Sequence, residues 1–178
     1  MIKEEEKRQH RCCFTGHRPE KLHISEEKVK ELLKAEIEQA VFDGFNVFIT
    51  GMARGVDIWA AMIVLNMRKM YKEVKLICAS PYPNFEKQWA SSWQQDYNYI
   101  MANADLIRFI SPFYSKSCFQ IRNQWMVNHS NRVIAVFTGE KSGTKYTVDY
   151  ALRHNIEVRN VLDTRFPLPK LQNELITE

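Results

Sequence analysis

Apolar positions along the chain fall into two kinds of segment, short unbroken runs and longer stretches with a helical period. Short runs suit strands buried on both faces, and the periodic stretches suit helices that cover them. Strands are predicted at Arg11 to Thr15, Phe45 to Thr50, Val74 to Ala79, Asp105 to Ile110, Arg132 to Phe137 and Ile156 to Val161. The run Val133-Ile134-Ala135-Val136-Phe137 reads as a central strand.

Helices fill the gaps. The first is capped by Ser25, carries Glu26 and Glu27 in its first turn, and ends at Gly44. Its core stripe is Val29, Leu32, Leu33, Ile37, Ala40 and Val41. The second, Val56 to Tyr71, is apolar nearly all round, which predicts packing on the sheet and on something more, such as a second subunit. A third, expected to be capped by Asn84, sets Trp89, Trp93, Tyr97, Ile100 and Met101 at helical spacing, read as core rather than a ligand cage. A fourth carries Ile121, Trp125, Met126 and His129, and a fifth runs from about Thr144 to His154. The alternation is that of βαβ units, so the expected fold is α/β: a single Rossmann-like three-layer sandwich, mainly parallel, with helices on both faces. It is expected over residues 11–163, between a charged arm at 1–10 and a Pro-containing extension at 164–178.

Composition narrows this. With 178 residues and 45% hydrophobic content the chain closes one sizeable core and is too short for two. Cys12, Cys13, Cys78 and Cys118 lack metal-ligand spacing, which fits a reducing compartment and no metal site. The N-terminus is charged, and no apolar run approaches the roughly 18 residues of a membrane span. A cytoplasmic protein with no membrane association is expected. The net charge of +4 permits nucleic acid without demanding it.

Five consecutive strands end in small or hydroxyl residues: Thr15-Gly16, Thr50-Gly51, Ser80-Pro81, Ser111-Pro112 and Thr138-Gly139. In a parallel sheet these ends share one edge, where open α/β folds bind ligands. The strongest signal is Thr50-Gly51-Met52-Ala53-Arg54-Gly55-Val56-Asp57 between a buried strand and a helix. Its glycines allow a tight turn that offers helix N-terminal amides to a phosphate, and Arg54 adds charge-assisted contacts. Asp57 reads first as a brace for the helix start, with a ribose hydroxyl contact as the alternative. The loop Thr15-Gly16-His17-Arg18 supplies a second cation, and Gly139 with Ser142-Gly143-Thr144 a second anion cradle. Gln120, Arg122 and Asn123 lie early enough on their helix to reach the same edge. No acid/base pair, partnered nucleophile or metal cluster stands at these ends, which points to binding without turnover.

At these residues the sequence resembles the YpsA/YoqJ-like branch of the SLOG superfamily, which unites DprA/Smf proteins with LOG proteins. Thr50 to Asp57 is similar to the [ST]GxARGxD motif of DprA-type domains. Gly16 to Pro19, Arg122-Asn123 and Gly143-Thr144 resemble the YpsA/YoqJ pattern. The resemblance implies a Rossmann-like fold, a nucleotide-related ligand and a sensing or regulatory role in bacteria or their phages. Catalytic LOG-type hydrolases carry an acidic residue after the corresponding Gly-Thr, where this chain has Lys145-Tyr146-Thr147, and Asp149 lies on a different face. DprA-type proteins bind single-stranded DNA with additional domains for which this chain has no room, so nucleic acid is expected to be an unlikely partner. The expected ligand is a small nucleotide; no other cofactor is implied, and a homodimer stays open. The alternatives are a LOG-type N-glycosidic hydrolase using His17 or Asp149, and DprA-like binding of single-stranded nucleic acid.

Overall fold

The computed structural model describes residues 3–163; the predicted extension at 164–178 lies outside them. A short helix, α1 (Glu4–Arg8), leads into β1 (Arg11–Gly16), a 3-10 turn at Pro19–Lys21 and α2 (Glu26–Phe42). There follow β2 (Val47–Thr50), α3 (Val56–Met67), β3 (Lys75–Ser80), α4 (Ser91–Asn103) and β4 (Leu106–Phe109). The chain continues through α5 (Cys118–Asn128), β5 (Arg132–Val136), α6 (Gly143–Arg153) and β6 (Glu157–Asn160). All six strands pair in parallel, in the order β4-β3-β2-β1-β5-β6. The Rossmann-like three-layer sandwich is therefore present.

Strand alternation divides the core in two. Cys12, Phe14, Phe48, Leu76, Cys78, Ile134 and Val136 face α2, α3 and α4. Cys13, Ile49, Ile77, Ala79 and Val133 face Met126 and Val127 of α5 and Ala151 of α6. The chain thus winds leftward from β1 to β4 with helices on one face, then returns to β5 and β6 with helices on the other. β1 and β5 lie side by side, yet their following loops leave toward opposite faces, which opens a crevice at the C-terminal edge.

Local chemistry sets the helix limits. Ser25 accepts the Lys28 N–H and starts α2, and Gly44 stands just past its end with a positive φ. The apolar circumference of α3 is used within the chain, because α2 and α4 flank it while it lies on the sheet. No second subunit is needed to explain that helix. Asn84 does not cap α4; it sits in a turn at φ 64°, and the helix begins at Ser91 after Ala90. Tyr82, Phe85 and Trp89 fold into an aromatic cluster there, and that packing overrides the helical spacing. The four cysteines are free and buried. No helix among the described residues is long and apolar enough to cross a membrane.

At the opposite, N-terminal edge, the buried Arg132 pairs with Asp43 at 2.6 Å and Glu157 at 2.7 Å and lies 4.5 Å over the Phe45 ring. That cluster ties β5 to α2 and β6.

Two substitutions test this packing. Phe48 is fully buried and stacks on Phe14 at 5.9 Å, so Phe48→Ala is expected to cost about 3–5 kcal/mol in urea unfolding. Ser25→Ala removes only the α2 cap and is expected to cost about 1 kcal/mol.

Candidate functional site

The crevice holds a cavity of about 460 Å³ walled by loops and helix starts from both halves of the chain. From β1 and its loop come Thr15, Gly16, His17, Arg18 and Lys21; from the β2–α3 turn come Ala53 and Arg54, and from the first turn of α3 comes Asp57. Phe119, Arg122, Asn123 and Met126 come from α5, and Ser142, Gly143 and Thr144 from the start of α6. The structure so brings together twelve of the residues expected at the site from sequence.

The β2–α3 turn has its shape for backbone reasons. Gly55 sits at φ 89°, where a side chain is strained, and a Cβ there would lie 2.7 Å from Pro19 Cδ. Met52 also takes a positive φ, with its side chain fully buried and its N–H donating to Thr50 Oγ1 at 3.3 Å. Thr50 Oγ1 in turn donates to the Asp57 carbonyl at 2.9 Å. Thr50, Gly51, Met52 and Gly55 therefore shape the turn from behind instead of lining the cavity.

Arg122 reaches from α5 across the sheet edge to this turn. Its guanidinium donates to the Gly51 carbonyl and lies 3.6 Å from Asp57 Oδ2, while Asp57 Oδ2 accepts the Ala53 N–H at 3.1 Å. Both side chains are buried, and burial pushes the Asp57 carboxyl up against the opposing pull of Arg122. Asp57 is thus the brace of the turn. Arg122 Nε is buried without a hydrogen-bond partner among the described residues, and the residue also lines the cavity.

At the α6 start, Ser142 Oγ accepts the Lys145 N–H at 3.1 Å and Ser142 O accepts that of Tyr146. Gly143 and Thr144 stand on the cavity wall in the first turn of α6, where backbone N–H groups have no acceptor within the helix. The lining carries four cations, Arg18, Lys21, Arg54 and Arg122, against one carboxylate, Asp57. Arg54 also pairs with the exposed Glu20 at 3.3 Å.

His17 is buried, and its Nε2 accepts the Thr138 N–H at 3.2 Å and contacts Thr138 Oγ1 at 3.0 Å. Burial lowers its pKa below the ordinary 6.5. A neutral imidazole with its lone pair already engaged positions the β5 loop and is poorly placed to move a proton. Asp149 pairs with Lys145 at 2.6 Å and is not on the cavity wall.

Other expected site residues lie elsewhere. Ser80 Oγ hydrogen-bonds the Tyr97 hydroxyl at 2.9 Å in the interior, and the Pro81 carbonyl accepts the Ser111 N–H at 2.9 Å. Gly139 borders a separate cavity with Phe137, Thr138 and Asn160. Sequence reasoning missed Lys21, Phe85 and Phe119 on the wall. Phe119 had a signal: with Arg122, Asn123 and Met126 it falls on one helical face of α5.

A Cβ at Gly51 would overlap the Arg122 guanidinium and lie 2.7 Å from Asp57 Oδ2. Gly51→Ala is therefore expected to lower stability by about 1–3 kcal/mol in urea unfolding. For His17, the fold favours the neutral ring, so the unfolded chain binds more protons below its unfolded pKa. Its stabilising contribution is full above about pH 6.5 and is lost as pH falls toward the folded value. The melting temperature should drop between about pH 7.5 and about 5.5, and less so in His17→Gln, which keeps an acceptor for Thr138.

Comparison with known proteins agrees with this architecture. A family model described as the YspA SLOG family matches residues 12–163. A UPF0398 protein of Bacillus cereus (strain B4264) is 30% identical over 157 residues, covering 83% of this chain and 85% of that protein. One from Bacillus thuringiensis (strain Al Hakam) is 29% identical over the same length. Among solved structures, DprA from Streptococcus pneumoniae superposes with TM-score 0.60 at 19% identity, covering 87% of this chain and 52% of that one, about half its length. DprA from Helicobacter pylori, whose structure describes a single-stranded DNA binding mode, gives TM-score 0.59 at 20% identity over 87% of this chain and 66% of that one. The expectation that nucleic acid is an unlikely partner is corrected by that neighbour: a protein sharing this fold binds single-stranded DNA, and chain length is no ground for exclusion. Because the match runs from β1 through β6, and the B. cereus relative aligns over most of both chains, the chain belongs to the YspA SLOG family.

Proposed function

We propose that this protein binds a phosphate-bearing nucleotide in the β1/β5 crevice and acts as a sensor or regulator without turning the ligand over. The observation that carries the reading is the cavity's charge: four cations face one carboxylate, beside the starts of α3 and α6. A helix N-terminus contributes roughly 0.3–2 kcal/mol to an anion, and each charge-assisted hydrogen bond about 1.5–3 kcal/mol net. The unspent Nε of the buried Arg122 adds a donor in a desolvated place, where such a bond counts most. Binding without turnover is supported by the engaged His17 lone pair, the paired Asp57 and the remote Asp149.

A second reading is favoured by the likeness to H. pylori DprA: the phosphate held here belongs to a single strand of DNA. The two separate on salt. Strand binding neutralises several phosphates and falls steeply with ionic strength, whereas a mononucleotide shows a shallow dependence.

Calorimetry with a panel of nucleoside mono- and diphosphates tests the leading reading. Arg18→Ala and Arg54→Ala are each expected to weaken binding about 10- to 100-fold, with the bound nucleotide recovered intact by chromatography. Absence of binding across the panel, or unaltered affinity in both variants, would reject it.

A further inference from the structure

Beside the first cavity lies a second of about 810 Å³, and the two share Arg18, Ala53, Arg54 and Phe85. The loops after β3 and β4 build it, with Tyr82, Asn84, Phe85, Lys87, Gln88, Trp89 and Tyr114 on its wall. Its aromatic rings meet edge to face: Tyr82 lies 5.8 Å from Tyr114 and 5.5 Å from Phe85, and Phe85 lies 4.9 Å from Trp89. An edge-to-face contact covers a face of only one of its two rings. Tyr114, on the wall of this cavity, keeps 60% of its surface in water, a large apolar exposure at a concave site. Asn84 and Gln88 each offer an amide donor and acceptor suited to the edge of a base.

Resting on the phosphate reading of the first cavity, we propose that the second cavity is a base-stacking subsite, and that the ligand is two nucleosides joined through phosphate. The first cavity holds one nucleotide against Arg122 and the α6 start. Arg18 and Arg54, shared by both cavities, hold the linking phosphate. The second base lies on the ring faces around Tyr114, with its polar edge toward Asn84 and Gln88. A lone mononucleotide in the first cavity leaves the second empty. The same chemistry is found in a soluble dinucleotide and in two successive residues of a single strand.

Binding is measured on the full chain for AMP and the other nucleoside monophosphates, the 5′-phosphorylated dinucleotides of each base, and a short 5′-phosphorylated oligodeoxynucleotide. The best dinucleotide should bind at least about tenfold tighter than its mononucleotide, the scale of one stacked base. In Tyr114→Ala that ratio should fall to near one, and Tyr114→Trp should keep it, since the exposed position tolerates either side chain. An oligodeoxynucleotide that binds tighter still, with a steep salt dependence, identifies the source as a strand; one no tighter than the dinucleotide identifies a soluble ligand. Equal affinity for mono- and dinucleotides in the unaltered chain, or a ratio untouched by Tyr114→Ala, overturns the second subsite and leaves the first reading standing. Absence of binding by every probe removes both.

Discussion

The buried contact of Arg122 with Gly51 and Asp57 is the interaction on which the site depends. Arg122 belongs to α5, on one face of the sheet, whereas Gly51 belongs to the turn that feeds α3 and Asp57 to the first turn of α3, on the other. The guanidinium spans the edge between them and fixes where the β2–α3 turn lies relative to α5. Such a pair gains little net stability from its charges, because desolvation consumes most of the attraction. Its effect is positional, since removing either partner strands a buried charge. Gly51 has no side chain because the guanidinium occupies the place of a Cβ.

Strand order does the rest. With β5 added beside β1 and not beside β4, the loops of two neighbouring strands part to opposite faces, and the crevice between them collects loop and helix ends from both halves of the chain. The two edges of the sheet then differ in character. At the N-terminal edge Arg132 is matched by Asp43 and Glu157, so its charge is neutralised within the fold. At the C-terminal edge the cations outnumber the carboxylates, and the surplus faces a cavity. That imbalance makes a ligand site physically reasonable there, because an anion completes a charge pattern the protein leaves open.

The groups that would suggest chemistry are each occupied. His17 spends its lone pair on Thr138, Asp57 braces a turn, Ser142 caps α6 and Asp149 pairs with Lys145. Arg18, Lys21 and Arg54 also stand on the cavity wall. The same logic explains the motif spanning residues 50–57: half of its members shape backbone and only Ala53, Arg54 and Asp57 face the cavity.

By itself the sequence determined the order and kind of the elements from β1 to β6. Strands buried on both faces need unbroken apolar runs, covering helices need a helical stripe, and both patterns are local. It also singled out Arg18, Arg54 and the starts of α3 and α6, since glycine and cap residues mark strand-to-helix turns wherever they lead. Tertiary structure decided which of those ends meet. That Arg122 would be a buried strut, that α3 would find its neighbours in α2 and α4, and that Ser80 would turn inward to Tyr97 all follow from strand order and layer packing, which no local period encodes. The aromatic cluster at Tyr82, Phe85 and Trp89 likewise displaced the start of α4 from Asn84 to Ser91, because burying rings against each other outweighed the helical spacing of a short segment.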